Sequence, residues 1–427
     1  MGSLLAVTGT TGERLDGRFA RLWAASTMSA LGSGMATVAA PLFVASKTDD
    51  PLTVSAASAV AWLPWLLFAL PGGVLVDRVD RRRLMVVIDW VRVAALAVLT
   101  AAIVTGRAGV ALLYAVLFVV NAGEVVFRSA AQAMLPAVVS RSLLERANGW
   151  LGGGTTLTQG MIAGPLGGFL FVLAASIPFG VNAATYALSA VLIGLVGGSY
   201  RGAPPTGGRR SVRAEVVEGF RWLLSQRLLR TMTFLIGLLN VTLTAAIAVL
   251  VLIATQRLGL GSVGYGVLFT CMAVGGLLGS VVGDRLVARI TATWTIRVGL
   301  LIEAGLHLAL AASRSAVVIA VALFAFGVHG ALWNMVSNSL RQRLTPAALQ
   351  GRVGSTTLFI AAGGNCLGAL LGGVVATRFG LTAPYWVGFV VAVAVTAVTW
   401  RVFDRSTVTA AYADPAPAPD DRPATVA

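Results

Sequence analysis

Apolar residues along this chain gather into runs of about twenty, the length an α-helix needs to cross a hydrocarbon core. Twelve such runs lie near residues 19–45, 54–76, 84–105, 109–133, 148–174, 177–198, 229–254, 263–283, 294–312, 316–340, 354–377 and 382–403. Short segments of alternating polarity, the mark of an outer-membrane barrel, are absent. The pattern predicts an all-α membrane protein with twelve transmembrane helices. A polar, basic, turn-rich break at 199–215 divides them into two six-helix bundles, 19–198 and 229–403, joined by a linker at 199–228. Within the linker, Ser211–Ser225 reads as an amphipathic helix on the membrane surface, with Val212, Val216, Phe220 and Leu223 on one face. The segment 1–18 lacks the basic-then-apolar build of a cleaved signal peptide, and 404–427, rich in Pro, Ala and Asp, reads as a disordered tail.

Composition agrees with a lipid environment. The chain is 57% hydrophobic and 11% charged, whereas soluble domains carry about 25% charged residues. The net charge of +15 is spread in a way that favours a membrane over a nucleic acid. Arginines crowd alternate connections, at 78–83, 141–146, 201–230, 285–297 and 341–352 and near both ends of the chain. The remaining connections hold little beyond Lys47, Arg107, Arg257, Arg314 and Arg378. The positive-inside rule then puts both termini in the cytoplasm. A single lysine among 32 basic residues suggests a GC-rich bacterial genome and hence a bacterial inner membrane.

The two halves echo one another. Arg128-Ser-Ala-Ala-Gln132-Ala-Met-Leu-Pro136 aligns with Asn338-Ser-Leu-Arg-Gln342-Arg-Leu-Thr-Pro346 at an offset of 210. The second and third runs are joined by Gly73-x-x-x-Asp77-Arg78 with Arg81, Arg82 and Arg83, and a weaker copy recurs as Gly283-Asp284-Arg285 with Arg289. This loop resembles the one between the second and third helices of the major facilitator superfamily. Four further stretches are similar to its proton-driven exporter branch, the relatives of macrolide and siderophore efflux proteins: 128–148, 180–190, 217–230 and 342–373. Gly160-x-x-x-Gly164-Pro165-x-x-Gly168 resembles the glycine–proline motif that exporters carry on their fifth helix.

The resemblance implies two bundles that rock about a shared cavity, exchanging protons for a lipophilic small molecule, with a monomer as the working unit. Uptake of a small metabolite is the rival reading, because fold alone does not set direction. The resemblance makes Asp77 a gating residue against the start of the eleventh helix, near Gly354, with Arg78, Arg81, Arg82, Asp284 and Arg285 in the same charged loops.

Five ionisable residues lie within apolar runs, where they are costly and therefore functional candidates. Asp89 and Arg92 are three apart, and Glu124 and Arg128 four apart, so each pair can share a helix face and neutralise itself. Glu303 stands alone mid-run. The family's cavity is lined by helices one, four, seven and ten, and Glu124 is the only acid on any of them, which makes it the leading proton-coupling candidate. Asp89, Glu303 and His329 follow. The helix-one acid of some drug antiporters has no counterpart here. Asn121, Arg128, Asn240, Trp333 and Asn334 are the substrate-cavity candidates, Asn334 being the repeat counterpart of Glu124.

Other chemistries lack their residues. No phosphate-binding loop surrounds the only lysine: Ser46 precedes Lys47-Thr48 where a glycine is required. Two histidines in separate runs and two lone membrane cysteines, Cys271 and Cys366, provide no metal cluster, disulfide framework or catalytic set. No cofactor, metal or enzymatic activity is expected.

Overall fold

The computed structural model describes residues 15–201, 212–346 and 349–403, with side chains throughout these except at 69–74, 77, 212–216 and 351. The expectations placed on Gly73, Asp77, Val212, Val216 and the 404–427 tail lie outside the described residues. The N-terminal half comprises α1 (Gly17–Ala45), α2 (Pro51–Arg78), α3 (Arg81–Val104), α4 (Val110–Val138), α5 (Arg141–Leu173) and α6 (Ile177–Gly194). The helix Val212–Ser225 bridges to the C-terminal half. That half comprises α7 (Arg227–Arg257), α8 (262–290), α9 (292–312), α10 (Ala316–Leu344), α11 (Gln350–Phe379) and α12 (Ala383–Thr399).

The helix ends follow from local chemistry. Asp16, Asp50 and Asp80 each accept backbone N–H groups at the starts of α1, α2 and α3, satisfying donors that have no partner within the helix. Pro51 opens α2 at a position where no N–H is needed. The helical run Ser262–Ala312 has 51 residues, about 76 Å at 1.5 Å per residue, too long for one crossing. It breaks at Thr291, whose φ of 70° is unusual for a β-branched residue and separates α8 from α9. With that break and the shorter apolar helix α12, the described residues hold twelve apolar helices, the number that the hydrophobic pattern predicted.

The halves meet along two seams, α2 against α11 and α5 against α8. Small residues make both. A Cβ on Gly266 would sit 2.2 Å from the Gly164 carbonyl oxygen, and one on Gly168 would sit 2.3 Å from that of Ser262. In the other seam a Cβ on Gly373 would meet the Ser55 hydroxyl. Helices in lipid gain little from burying apolar surface, so close backbone approach through glycine supplies their association. Among the described residues the polar ties between halves include Asp49–Gln256 (2.8 Å), Asp50–Thr377 (3.4 Å), the Thr270 hydroxyl on the Met161 carbonyl (3.1 Å) and the Cys366 thiol on the Ala59 carbonyl (3.7 Å). They lie at midplane or toward the face with few arginines. Toward the arginine-rich face, Gly149, Gly152 and Gly153 of α5 have open space about them.

At that face the charged loop is held within its own half. Arg81 donates to the Ala133 carbonyl of α4 (3.0 Å), and Arg82 donates to the Gly194 and Gly198 carbonyls at the end of α6. Arg78, Asp284 and Arg285 are exposed. The bridging helix is pinned by Glu218–Arg352 (2.8 Å) and by Leu223, which is buried with Leu229 and Val353. Phe220 is exposed, so its packed face is narrower than its hydrophobic pattern implies.

Asp80 organises this loop. Its carboxylate accepts from Arg83 N (2.9 Å), the Ser199 hydroxyl (2.7 Å) and Tyr200 N (2.8 Å). Burial pushes its pKa up, but these hydrogen bonds outweigh burial and hold it below the ordinary value. A depressed carboxylate contributes stability that is present above its unfolded pKa and lost as pH falls through the folded one. Asp80→Asn is therefore expected to cost about 1–3 kcal/mol at neutral pH and to flatten the acid limb of a pH series of thermal melts. An unchanged acid limb would remove Asp80 from this role.

Candidate functional site

Four charged side chains from α3 and α4 meet inside the N-terminal half, and Arg92 is their hub. Its guanidinium is fully buried and donates to Asp89 Oδ1 (3.1 Å), Glu124 Oε2 (2.7 Å), the Ser29 hydroxyl (3.3 Å) and the Val120 carbonyl (3.2 Å). Tyr186 of α6 and Phe127 of α4 flank it, with ring centroids 4.6 and 5.5 Å from Cζ. Gly123 makes this possible, since a Cβ there would lie 2.6 Å from Arg92 Nε. Glu124 Oε1 takes a second cation, Arg128 Nε, at 2.7 Å. The Ser33 hydroxyl of α1 donates to Glu124 Oε2 (3.1 Å) and shares a hydrogen bond with the Tyr186 hydroxyl (2.9 Å).

The sequence pairs the charges along each helix, whereas the structure cross-links them. Glu124 bonds Arg92 of the neighbouring helix as well as Arg128 of its own. Two carboxylates and two guanidiniums balance formally, which is how a charged cluster persists away from water. Its members differ in freedom. Arg92 is sealed, while the Arg128 side chain is 41% exposed, reaching Gln159 of α5 (3.0 Å) and lying 5.6 Å from the Trp65 ring. Beside them is a cavity of about 370 Å³ between α1, α4 and α5, lined by Ser26, Ser29, Glu124, Arg128, Gln132 and Asn148 among others.

The remaining candidates are dispersed. Asn121 bonds its own helix at the Leu117 carbonyl, and Asn334, exposed on α10, does the same at Gly330. Asn240 ties α7 to α11 through the Ala361 carbonyl (3.3 Å). His329 packs its ring on Gly299 of α9, between Phe326 and Trp333. Glu303 is buried in the C-terminal half, 3.7 Å from His307, which packs against Gly388 of α12. Gly160, Gly164, Pro165 and Gly168 lie along the α5–α8 seam.

Ser29, Ser33, Tyr186, Gln159 and His307 were not foreseen as site residues. The first four reach the cluster from other helices, so no spacing links them to Glu124. His307 carried a signal, its i,i+4 relation to Glu303.

The family described as transmembrane secretion effector matches residues 15–419. The chain belongs to this family of major facilitator transporters. Macrolide efflux protein A of Streptococcus pyogenes is 30% identical over 133 residues, 31% of this chain and only about a third (33%) of that protein. The multidrug efflux pump Tap of Mycolicibacterium fortuitum is 28% identical over 383 residues, 85% of this chain and 90% of the pump. Among solved structures, a POT family transporter in complex with 5-aminolevulinic acid superposes with a TM-score of 0.74 at 13% identity, covering 93% and 98% of the two chains. That likeness shows the fold alone. The protein is thus a multi-pass membrane transporter.

The unequal burial of the two arginines has a measurable consequence. Arg92→Leu strands the buried Asp89 carboxylate and leaves Glu124 with Arg128 alone, and is expected to cost about 3–5 kcal/mol, seen as loss of folded protein in detergent. Arg128→Leu, at the cavity wall, should lower the melting temperature less. Equal losses from the two substitutions would contradict the division between hub and wall.

Proposed function

We propose that the protein is a proton-coupled exporter of lipophilic small molecules, working as a monomer by alternating access in a bacterial inner membrane. Its arginine-rich face and both termini are cytoplasmic, following the positive-inside rule. The geometry then corresponds to an inward-facing state, with the halves joined toward the periplasm and the cavity on the cytoplasmic side. The relatives named for macrolide and multidrug efflux support the direction and the substrate class.

The single observation that carries the coupling is Glu124, an acid at the cavity edge held by one fixed and one movable cation. A proton arriving at Oε1 replaces the contact to Arg128. The released guanidinium, already part-exposed, turns into the cavity and expels the substrate that had used the closed ion pair as its wall. Proton and substrate are then mutually exclusive, the condition for exchange rather than cotransport. On return, loss of the proton restores the ion pair and the empty carrier accepts substrate again. Asp77 and the loop arginines serve as the cytoplasmic latch of the opposite state.

The test uses inverted membrane vesicles, labelled erythromycin and an imposed proton gradient. Wild-type vesicles accumulate the probe and lose it on adding a protonophore. Glu124→Gln, which mimics the protonated acid, should abolish gradient-driven accumulation and weaken erythromycin binding at an unchanged amount of membrane protein, and Asp77→Asn should slow turnover without lowering that amount. Accumulation by Glu124→Gln that still collapses with protonophore would move the coupling site elsewhere. Normal turnover by Asp77→Asn would remove the latch.

A further inference from the structure

Helix α5 abandons regular α geometry over Thr156–Ile162, where it forms a π turn. Such turns are rare, and they shift which side chains and carbonyls a helix presents. Here the turn touches three other helices at once. The Gln159 side chain accepts from Arg128 Nη2 (3.0 Å), and the Thr158 hydroxyl donates to the Thr27 carbonyl of α1 (3.2 Å). Two residues after Gln159, the Met161 carbonyl accepts the Thr270 hydroxyl of α8 (3.1 Å), and Gly160 lies against Ala273 of the same helix. The backbone of Gln159 is wedged on α1, where a Cβ on Gly34 would come within 2.9 Å of its carbonyl oxygen.

The charged cluster and the seam between halves are therefore joined by one short, irregular segment. The Met161 carbonyl is free for this contact because the residue four positions on, Pro165, has no N–H to give it, and the π turn just before Pro165 sets where that carbonyl points. We propose that Gln159 is a positioning residue that transmits the state of the Glu124–Arg128 pair through the π turn to the α5–α8 seam. This rests on the exchange reading given above. When Arg128 leaves Glu124 it also changes its hold on Gln159. The turn then shifts relative to α1, and the Met161–Thr270 tie, one of the few polar links between halves, is loosened or re-formed. Gln159 touches the coupling cluster and need not touch substrate.

The experiment reads the opening of the arginine-rich face as the distance between spin labels at Glu145→Cys on α5 and Arg289→Cys on α8, both exposed sites, in a Cys271→Ser/Cys366→Ser background. In the otherwise native chain, Glu124→Gln should shift this distance. Gln159→Leu should erase that shift, and Gln159→Glu, which keeps an acceptor for Arg128, should restore it. Thr270→Val, which cuts the other end of the link, should erase the shift too, and its effect on the distance should be non-additive with that of Gln159→Leu. Thr270→Val alone, remote from the cluster and the cavity, should retain erythromycin binding. A full Glu124→Gln shift in the Gln159→Leu protein, failure of Gln159→Glu to restore it, or strictly additive effects would each overturn the proposal. If Glu124→Gln leaves the native distance unmoved, the exchange reading fails at that residue. The link is then decided by the additivity of Gln159→Leu and Thr270→Val alone, so the two failures are distinguishable.

Discussion

A guanidinium sealed inside a membrane-embedded bundle constrains everything around it. Water is not there to solvate Arg92, so its donors need protein acceptors, and the carboxylates that supply them need cations in turn. The demand propagates outward from α3 to Glu124 on α4, then to Arg128 at the cavity wall, with hydroxyls from α1 and α6 adding hydrogen bonds to Arg92 and Glu124 and to one another. Even the backbone yields to it, since Gly123 leaves the space that the Arg92 side chain occupies. The network is closed around Arg92, leaves Asp89 Oδ2 buried without a hydrogen-bond partner, and reaches the cavity only through Glu124 and Arg128.

The same economy of contacts governs the seams. Glycine and carbonyl surfaces approach closely, and only a few hydrogen bonds join the halves. An interface made of shallow van der Waals contact can part and re-form without stranding buried polar groups. That separates the two jobs of the fold. Each half keeps its costly charges paired internally, and the boundary between halves stays cheap to open. The π turn of α5 is the place where the two regions come within a few residues of each other.

The reading of the charged residues illustrates what local spacing can and cannot reveal. Asp89–Arg92 and Glu124–Arg128 stand three and four residues apart, and helix geometry alone brings each pair together. The bond from Glu124 to Arg92 depends on how α3 and α4 are packed, which no spacing encodes. His329 was legible as a membrane histidine but not as one turned toward α9, because a helix that is apolar nearly all round does not announce which side meets its neighbour. Gln159 was invisible for a further reason: a π turn re-registers the helix, so a face counted at regular spacing is the wrong face.

The sequence by itself determined the solvent of this protein, its twelve crossings, the division into two repeated halves and the family to which it belongs. Those follow from long apolar runs, from the placement of arginines and from short motifs, all properties of neighbours along the chain. Tertiary structure alone decided that the four membrane charges form one network, that Arg92 is its sealed centre and Arg128 its part-exposed edge, and that α5 joins this network to the opposite half. These are relations between helices, set by close packing and by the need to satisfy every polar atom away from water.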